Sequence, residues 1–289
     1  MSRVAYVDGQ YLPHRSAAVH IEDRGYQFAA GIYEVLAVVG GRLVDEALHL
    51  GRLARSLSEL RIATPISDPA LKIVIREVAR RNGVRNGIVY LQITRGVAPR
   101  EHAFPKSVKP VLVVTSRRRK PADPRAGDDG VAVITIPDIR WQRCDIKSVA
   151  LLPNVLGKQQ AHEAEAYEAW QVDREGRVIE GTSTNAWIVT ADGIVATRQP
   201  DSRQPDSAIL NGITRLAVLD IIRREGYGFA ERPFTLAEAK AASEAFLTST
   251  TADLLPVVRI DGDPVGSGVP GPLSRRFREC YLAHAAAAA

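Results

Sequence analysis

The sequence of 289 residues has little cysteine and no long apolar run, and each absence excludes a class of protein. Its two cysteines, Cys144 and Cys280, lie far apart, and neither has a partner at metal-ligand spacing. No apolar run approaches the roughly 20 residues that a membrane-spanning helix needs. The first residues, MSRVAYVDGQYLP, lack the apolar core of a signal peptide. We therefore expect a cytoplasmic protein without a metal site.

The positive charge of the chain is also too dispersed to indicate a nucleic-acid-binding protein. The formal net charge is +5, but lysine and arginine are scattered except at Arg117–Lys120. No zinc-finger spacing or basic-aromatic array is present. The hydrophobic fraction of 45% and the charged fraction of 25% are ordinary for a globular protein. A mildly basic protein with a small anionic ligand fits this composition.

The length exceeds that of one typical core and predicts one large domain or two of medium size. The stretch Arg117–Asp129 is rich in charge, proline and glycine and has no periodicity. We place a linker at residues 117–130, between an N-terminal domain of residues 1–116 and a C-terminal domain of residues 131–289. A phosphate-binding basic cluster is the alternative interpretation of this stretch.

The predicted N-terminal domain combines short strands with two helices. Apolar residues at helical spacing predict a helix over Leu50–Leu60, and Asp68-Pro69 begins a second helix with proline in its first turn. The predicted strands are Arg3–Val7, Tyr11–Pro13, Ile32–Val39, Ile88–Thr94 and Pro110–Thr115. This order of strands and helices indicates an α+β domain.

The predicted C-terminal domain begins with a strand at Val131–Ile139, rich in β-branched residues, and has a loop at Leu151–Asn154. Further strands are predicted at Tyr167–Val172, Arg177–Glu180, Asn185–Thr190, Ile194–Thr197, Ala245–Thr248 and Val257–Ile260. Helices are predicted at Asn154–Tyr167, Ile213–Arg224 and Leu273–Leu282, with a capping box at Thr235–Glu238 that begins a short helix. The whole chain is therefore assigned to the α/β (α+β) class.

Lys147 is the first candidate for chemistry, in the stretch RWQRCDIKS at Arg140–Ser148. An amine held near apolar groups loses its charge more easily, and it can form a Schiff base with an aldehyde such as pyridoxal phosphate. An ordinary solvated lysine is the alternative, so other groups must support the assignment.

A pyridoxal phosphate site also needs a carboxylate for the pyridine nitrogen and a cup for the phosphate. Glu180, before the GTSTN stretch, is the candidate carboxylate. Asn211–Thr214 begins a helix whose backbone amides favour an anion, and Thr248–Thr251 offers four hydroxyls. Arg52 could add a positive charge. The alternatives are a strand-end glutamate, a plain helix-starting turn and a salt-bridging arginine.

A substrate-binding element is predicted at Thr94–Pro105, a loop that reads TRGVAPREHAFP. Arg100 and His102 lie two residues apart in this loop. A guanidinium is shaped for bidentate capture of a carboxylate, and an imidazole adds a further donor. Surface-exposed side chains without a function are the alternative.

These motifs, in this order, resemble the fold-type IV aminotransferases from EDRGYQF at Glu22 onward. The resemblance is carried by RCDIKS around Lys147, EGTSTN from Glu180, NGITR from Asn211 and TSTT from Thr248. The group includes D-amino acid aminotransferases, branched-chain aminotransferases and aminodeoxychorismate lyase. The resemblance implies a two-domain pyridoxal phosphate enzyme with a smaller N-terminal α+β domain and a larger, barrel-like C-terminal domain. TRGxxPRxH resembles the D-amino acid aminotransferases in particular.

The resemblance also implies a role for each candidate. Lys147 resembles the Schiff-base lysine, and Glu180 resembles the partner of the pyridine nitrogen. The implied phosphate cup consists of Arg52, Ile213, Thr214, Ser249 and Thr250. Tyr33 resembles a tyrosine that lines the substrate side. Arg100 and His102 resemble the pair that binds the substrate α-carboxylate, reaching in from the other subunit of a homodimer.

The implied reaction is ping-pong transamination of D-alanine with 2-oxoglutarate through an internal aldimine at Lys147. The alternatives on the same fold are a branched-chain or other L-aminotransferase, an (R)-amine transaminase and a lyase similar to aminodeoxychorismate lyase. A non-catalytic cofactor-binding protein is a further alternative. One departure affects the expected substrate range. The family commonly reads FGDGVYE where Phe28–Glu34 reads FAAGIYE, so Ala30 replaces a carboxylate.

Overall fold

The computed structural model describes residues 3–119, 124–200 and 209–288. By its internal contacts the chain divides into two units. Unit 1 comprises Met1–Lys120, Ile146–Ala150 and Ala285–Ala289, and unit 2 comprises Pro121–Asp145 and Leu151–His284. Residues 120–123 of the predicted linker lie outside the described residues. Lys147 belongs to unit 1, although the domain boundaries predicted from the sequence include it in the C-terminal domain.

Unit 1 is built on an antiparallel sheet. Its strands are β1 (Val4–Val7), β2 (Gln10–Pro13), β3 (Gly31–Val39), β4 (Arg42–Leu43), β5 (Gly87–Thr94) and β6 (Val111–Arg118), in the order β2-β1-β6-β5-β3-β4. Its helices are α1 (Arg24–Phe28), α2 (Glu46–Glu59) and α3 (Asp68–Arg81). The core forms where α2 packs on β3 and α3 on β6, around Leu53, Leu57 and Ile75. The five predicted strands and two predicted helices are confirmed.

Helix α1 was not predicted, because its five residues are too few to show a helical period. The Asp23 carboxylate caps it by accepting from the Gly25 amide at 2.8 Å and the Tyr26 amide at 3.3 Å. A Cβ on Gly25 would lie 2.3 Å from Thr94 Cγ2, so glycine permits close packing of α1 on the end of β5. Helix α1 is thereby fixed beside the loop that follows β5.

Unit 2 is built on a mixed sheet. Its strands are β7 (Val131–Pro137), β8 (Glu168–Val172), β9 (Arg177–Gly181), β10 (Asn185–Val189), β11 (Val195–Thr197), β12 (Phe229–Glu231), β13 (Phe234–Thr235), β14 (Glu244–Ser249), β15 (Asp253–Ile260) and β16 (Asp263–Pro264). The strand order is β12-β11-β10-β14-β15-β7-β8-β9-β13, and β16 pairs with β15. The pairs β7–β8, β7–β15 and β11–β12 are parallel. All six strands predicted after Val131–Ile139 are present.

The helices of the second part of the chain are α4 (Pro124–Asp128), α5 (Leu152–Glu163), α6 (Ile213–Arg224), α7 (Leu236–Lys240) and α8 (Pro272–Ala288). The core includes Trp187 stacked on Phe246, with ring centroids 5.2 Å apart, and Phe277 beside Phe246. Both units combine helices with sheets, which confirms the predicted α+β class. No helix within residues 3–119, 124–200 or 209–288 is long and apolar enough to cross a membrane.

Two local predictions were wrong. The segment Leu151–Asn154 is not a loop, because α5 begins at Leu152 with Pro153 in its first turn. Proline is tolerated there, since the first amides of a helix have no intrahelical acceptor. The strand predicted to end at Ile139 ends at Pro137, so a longer irregular segment precedes Lys147.

Candidate active site

The Lys147 amine lies beside the Tyr33 ring in unit 1. The segment Ile146–Ala150 runs along the start of β3, where the Tyr33 amide donates to the Lys147 carbonyl at 3.0 Å. Ile146 is buried in the core of unit 1 and anchors this segment. Lys147 Nζ lies 3.4 Å from the Tyr33 hydroxyl oxygen and 4.4 Å from the ring centroid. Strand β3 therefore fixes a primary amine over a phenol.

Tyr33 is supported by a second tyrosine. Its ring stacks on Tyr90 of β5, with centroids 5.7 Å apart. The Tyr90 hydroxyl donates to Gln92 Oε1 at 2.7 Å. Burial, reinforced by the neighbouring Tyr33, raises the pKa of Tyr90 to about 12. The stacked, hydrogen-bonded Tyr90 ring therefore supports the Tyr33 ring from β5.

Arg52 is bound by a buried carboxylate. Glu34 follows Tyr33 on β3, so its side chain points to the opposite face of the strand. Arg52 Nε donates to Glu34 Oε1 at 2.7 Å and Nη2 to Oε2 at 2.8 Å, while His49 Nδ1 lies 2.8 Å from Oε2. The salt-bridging arginine, one alternative from the sequence, is thus present. The phosphate-binding role of Arg52 stays a prediction.

The charges of this cluster (Glu34, His49 and Arg52) follow from its burial. Burial opposes ionisation of Glu34, but the Arg52 guanidinium and the His49 hydrogen bond hold the pKa of the carboxyl at about 2. Burial lowers the pKa of His49. The cluster therefore consists of a carboxylate, a guanidinium and an imidazole that favours its neutral form.

Glu180 lies at the end of β9 in unit 2 and is buried. The Arg140 guanidinium donates to Glu180 Oε1. Asn185 Nδ2 donates to Oε2 at 3.1 Å, and the Leu210 amide donates to the same oxygen at 3.2 Å. Burial raises the pKa of the Glu180 carboxyl, while the charge of Arg140 acts in the opposite direction. The form that would stabilise a protonated ring nitrogen is the ionised carboxylate, and the adjacent Arg140 guanidinium favours that form.

Three residues around Glu180 were missed by reasoning from the sequence. Arg140 is held by Asp138, with Nη2 2.7 Å from Oδ2, and it brings a charge to Glu180. Asn185 joins Glu180 to the segment before α6, since its amide also donates to the Leu210 carbonyl at 3.0 Å. Glu168 of β8 accepts from the Ser183 hydroxyl at 2.8 Å and fixes the turn after Glu180. Arg140 and Asn185 lie inside the quoted motifs, whereas Glu168 meets Ser183 only through strand pairing.

Ile213 and Thr214 form the first turn of α6. Among the described residues no side chain caps this helix, whose N-cap residue is Gly212. A Cβ on Gly212 would lie 2.1 Å from Asn185 Oδ1, so this close approach requires glycine. Thr214 is buried, with Oγ1 3.3 Å from the Tyr281 hydroxyl oxygen. The helix therefore offers backbone amides to an anion, rather than the Thr214 hydroxyl.

The hydroxyl stretch at Thr248–Thr251 divides into different roles at the end of β14. Thr248 Oγ1 accepts from the Trp187 indole at 3.0 Å inside the core. Ser249 Oγ accepts from the Ala252 amide at 3.0 Å and shapes the turn to β15. Ser249 and Thr250 are half-exposed. The predicted pair therefore lies in the turn between β14 and β15, and its phosphate-binding role stays a prediction.

Arg100 and His102 meet at Phe28. The Arg100 guanidinium carbon lies 4.9 Å from the centroid of the Phe28 ring, and the His102 ring centroid lies 5.5 Å from it. Both side chains are otherwise exposed. The structure thus brings the two predicted carboxylate-binding residues together on one aromatic support in unit 1.

The groups present fit a pyridoxal phosphate cofactor. Unit 1 provides a primary amine held beside a phenol. Unit 2 provides a buried carboxylate, a helix N-terminus without a side-chain cap and a turn rich in hydroxyls. These are the groups that such a cofactor requires for its aldehyde, ring nitrogen and phosphate.

Comparison with known proteins identifies the family. The family model of amino-transferase class IV matches residues 31–260. The chain belongs to this family, and it is a pyridoxal phosphate-dependent aminotransferase.

Two curated relatives are more specific. D-alanine aminotransferase of Bacillus licheniformis is 42% identical over 272 residues, which cover 94% of this chain and 93% of that protein. D-alanine aminotransferase of Staphylococcus haemolyticus is 40% identical over 278 residues, 96% of this chain and 95% of that protein.

Solved structures show the same fold. A branched-chain amino acid aminotransferase with pyridoxamine 5'-phosphate, from the organism abbreviated T.th., has a TM-score of 0.87 and 26% identity, covering 99% of this chain and 95% of that one. The Escherichia coli branched-chain enzyme has a TM-score of 0.90 at 20% identity, covering 100% and 96%. The described units therefore have the predicted fold-type IV architecture.

Proposed function

We propose that this protein transfers the amino group of D-amino acids to 2-oxo acids, with D-alanine and 2-oxoglutarate giving pyruvate and D-glutamate. The observation that carries the proposal is the pairing of Arg100 and His102 on Phe28 in an exposed loop. Together they offer a planar guanidinium and an imidazole to one carboxylate. The names of the two curated relatives support the same substrate class.

When bound, pyridoxal phosphate supplies an aldehyde that receives the amino group and a ring that delocalises the electrons of the substrate α-carbon. Lys147 is proposed to bind this aldehyde covalently. Once displaced by substrate, its amine would act as general base and acid and move a proton between the substrate α-carbon and the cofactor's C4′. The Tyr33 hydroxyl, 3.4 Å from Lys147 Nζ, orients the amine for this proton transfer.

Glu180 is proposed to hold a proton on the ring nitrogen. Arg140 and Asn185 fix the orientation of its carboxylate, so its oxygens are held in one position for the hydrogen bond to the ring nitrogen. The proposed phosphate ligands are Arg52, the amides of Ile213 and Thr214, and the turn residues Ser249 and Thr250. Binding by amides at a helix N-terminus keeps the phosphate in place through the aligned peptide dipoles.

Selection of the D enantiomer is proposed to follow from two fixed points. Arg100 and His102 hold the carboxylate, and Lys147 defines the direction from which the proton is taken. We propose that the protein is a homodimer in which Arg100 and His102 of one subunit bind the substrate carboxylate at the site that contains Lys147 of the other subunit. A cytoplasmic location also stays a prediction, based on cysteine usage.

Replacement of Arg100 by alanine tests the carboxylate-binding role. We expect kcat/KM for D-alanine to fall about 10- to 100-fold, because a charge-assisted hydrogen bond is lost. The rate with D-alaninamide, which has no carboxylate, should change little. Steady-state kinetics with both substrates measure this difference, and Lys106→Ala, in the same loop, is the control. An equal loss for both substrates would show that Arg100 does not bind the carboxylate.

A branched-chain L-aminotransferase is the second candidate, favoured by the likeness to the T.th. branched-chain enzyme. The sequence Arg100-Glu101-His102 argues against it, since the resemblance to D-amino acid aminotransferases lies there. Rates with D- and L-leucine distinguish the two: a preference for the L enantiomer would replace our proposal.

A further inference from the structure

A buried arginine outside the predicted site holds the loop that carries Arg100 and His102. Arg24 of α1 is 2% exposed. Its Nη1 donates to the Glu101 carbonyl at 2.6 Å, and Nη2 donates to the His102 and Ala103 carbonyls at 3.3 and 3.2 Å. One planar guanidinium therefore binds three successive carbonyls. Because a guanidinium has donors in a rigid fork, it fixes their relative orientation.

The same helix supports the side chains of the loop. Phe28 lies one turn after Arg24, and its ring centroid is 4.8 Å from the Arg24 guanidinium carbon and 4.9 Å from that of Arg100. The His102 ring packs on Phe28 as well. A cation over an aromatic face is attracted to it, so Phe28 favours a fixed place for the Arg100 head group. Arg24 thus holds the main chain, and Phe28 holds the side chains.

Helix α1 is itself tied to the sheet of unit 1. Asp23, which caps α1, is 1% exposed and accepts from the Thr94 hydroxyl at 2.7 Å. The Arg24 amide donates to the Gly96 carbonyl at 2.9 Å. These bonds connect α1 to the end of β5 and to the first residues of the loop. Because α1 is fixed to β5 in this way, the hydrogen bonds of Arg24 hold the loop in a fixed position relative to that strand.

Burial of Arg24 has a high desolvation cost that packing alone does not explain. Within residues 3–119, 124–200 and 209–288 no carboxylate forms an ion pair with it. Burial of a guanidinium without a counter-charge is unfavourable, so an apolar residue would fill the space at lower cost. Its carbonyl contacts concentrate on Glu101, His102 and Ala103, directly beside the predicted carboxylate-binding residues.

We propose that Arg24 is a positioning residue for substrate specificity. It fixes the backbone of residues 101–103 so that Arg100 and His102 present their donors to the α-carboxylate in one arrangement. Order imposed before binding lowers the entropy that substrate must remove. The inference rests on the proposed function, because it concerns the carboxylate of a D-amino acid.

The test uses the holoenzyme with Arg24→Met, which keeps most of the volume but removes the donors. We expect kcat/KM for D-alanine to fall about tenfold, chiefly through KM, while that for D-alaninamide stays within about twofold. Arg24→Lys should lose less, since one ammonium can still reach some of the carbonyls, and it serves if Arg24→Met does not fold. Arg61→Met is the matched control, because the Arg61 guanidinium contacts this loop at the Phe104 ring, 4.8 Å from its centroid, and not at residues 101–103.

Two further measurements separate positioning from general destabilisation. In the Arg100→Ala background, Arg24→Met should add less than about twofold, because the two residues act through one contact. Amide hydrogen exchange of residues 100–104 should become faster in Arg24→Met and not in Arg61→Met. Equal loss for both substrates, or an undiminished effect in the Arg100→Ala background, would overturn the role of Arg24.

The outcomes also separate this inference from the proposed function. If Arg100→Ala selectively impairs D-alanine but Arg24→Met does not, only the role of Arg24 is wrong. If the wild-type enzyme shows no preference for a carboxylate, both the proposed function and this inference are overturned.

Discussion

Ala29 has a left-handed backbone, with φ of +52°, at the C-terminal end of α1. This conformation is unfavourable for a residue with a Cβ and has no such cost for glycine. The family commonly has glycine at this position. The strain lies beside Ala30, the position where the family's carboxylate is missing. The departure noted in the sequence therefore has a backbone consequence as well as a polar one.

Replacement of Ala29 by glycine should stabilise the protein by about 1 kcal/mol, because the gain in the folded state exceeds the added freedom of the unfolded chain. Thermal unfolding of the purified protein measures the change. Ala30→Gly is the control: Ala30 is outside the left-handed region, so this change should destabilise the protein by about 0.5 to 1 kcal/mol. Equal shifts for the two variants would contradict the account of strain.

At the scale of single residues, the candidate site residues could be predicted from sequence motifs. Most of the residues that hydrogen-bond to them or position them could not. Lys147, Glu180 and the Arg100–His102 pair stand in recognisable local patterns. Arg24 gives no local signal of its role, because the carbonyls that accept from it are 77 to 79 positions away, and the Leu210 carbonyl that accepts from Asn185 is 25 positions away. Such contacts arise from the packing of elements, which a linear pattern does not encode.

Strand β3 is the element that organises unit 1. Tyr33 and Glu34 are adjacent on it and point to opposite faces, so one strand positions both the phenol beside Lys147 and the carboxylate of the buried cluster. The cluster ties β3 to α2, because Arg52 and His49 are both in that helix. Integrity of this pair of elements therefore depends on the charge of Glu34.

Replacement of Glu34 by glutamine should destabilise the protein by about 3 to 5 kcal/mol at pH 7, since it removes the buried charge that pairs with Nε and Nη2 of Arg52. The folded-state pKa is about 2 and the ordinary value is 4.5. The stabilisation is thus present above pH 4.5 and is lost as pH falls toward 2. Urea unfolding at a series of pH values measures the free energy of unfolding of both proteins, and the difference between them should shrink as the pH falls.

Glu59→Gln is the control for the Glu34 experiment. Glu59 pairs with Arg55 in the same helix at 3.8 Å, and both side chains are exposed to solvent. Its loss should change stability by less than about 1 kcal/mol. A comparable loss for the two variants, or a difference that does not shrink as the pH is lowered, would show that the Glu34 pair is not the source of stability.

Elements were predictable to the extent that their periodicity was long. Strand β5 has a continuous pattern and lies within one residue of its predicted bounds, and helix α3 begins at the predicted Asp68. Helix α1 was missed, because it spans five residues and contains Gly25, whereas the equally short α7 was predicted from its capping box. The loop predicted at Leu151–Asn154 contains the start of α5, because Pro153 is compatible with a loop and is also favourable in the first turn of a helix.

At the scale of the whole molecule, the chain crosses between its two units more than once. Residues Ile146–Ala150 belong to unit 1 although their neighbours on both sides belong to unit 2. A boundary drawn from composition assumes contiguous domains and cannot find such a return. This return brings Lys147 to Tyr33, and the proposed role of the lysine depends on that contact.

Mixing an inactive variant, Lys147→Ala, with an impaired one, Arg100→Ala, tests the proposed homodimer. Lys147→Ala retains the carboxylate-binding residues, and Arg100→Ala retains the lysine. If Arg100 acts across the interface, each hybrid dimer contains one complete site, so an equal mixture should recover about a quarter of the wild-type sites. Activity with D-alanine after subunit exchange measures this recovery. Absence of recovery in a mixture shown to contain hybrids would place Arg100 and Lys147 of one site in the same subunit.

The most direct test of the central claim is the half-reaction of the wild-type holoenzyme with single alanine enantiomers, without an acceptor oxo acid. We predict that D-alanine removes the absorbance of the lysine-bound cofactor with release of pyruvate, at least about 100-fold faster than L-alanine does. Lys147→Ala should lack both that absorbance and turnover. Equal or faster reaction with L-alanine would contradict the assignment to D-amino acids, and transamination by Lys147→Ala at the wild-type rate would contradict the role of the lysine.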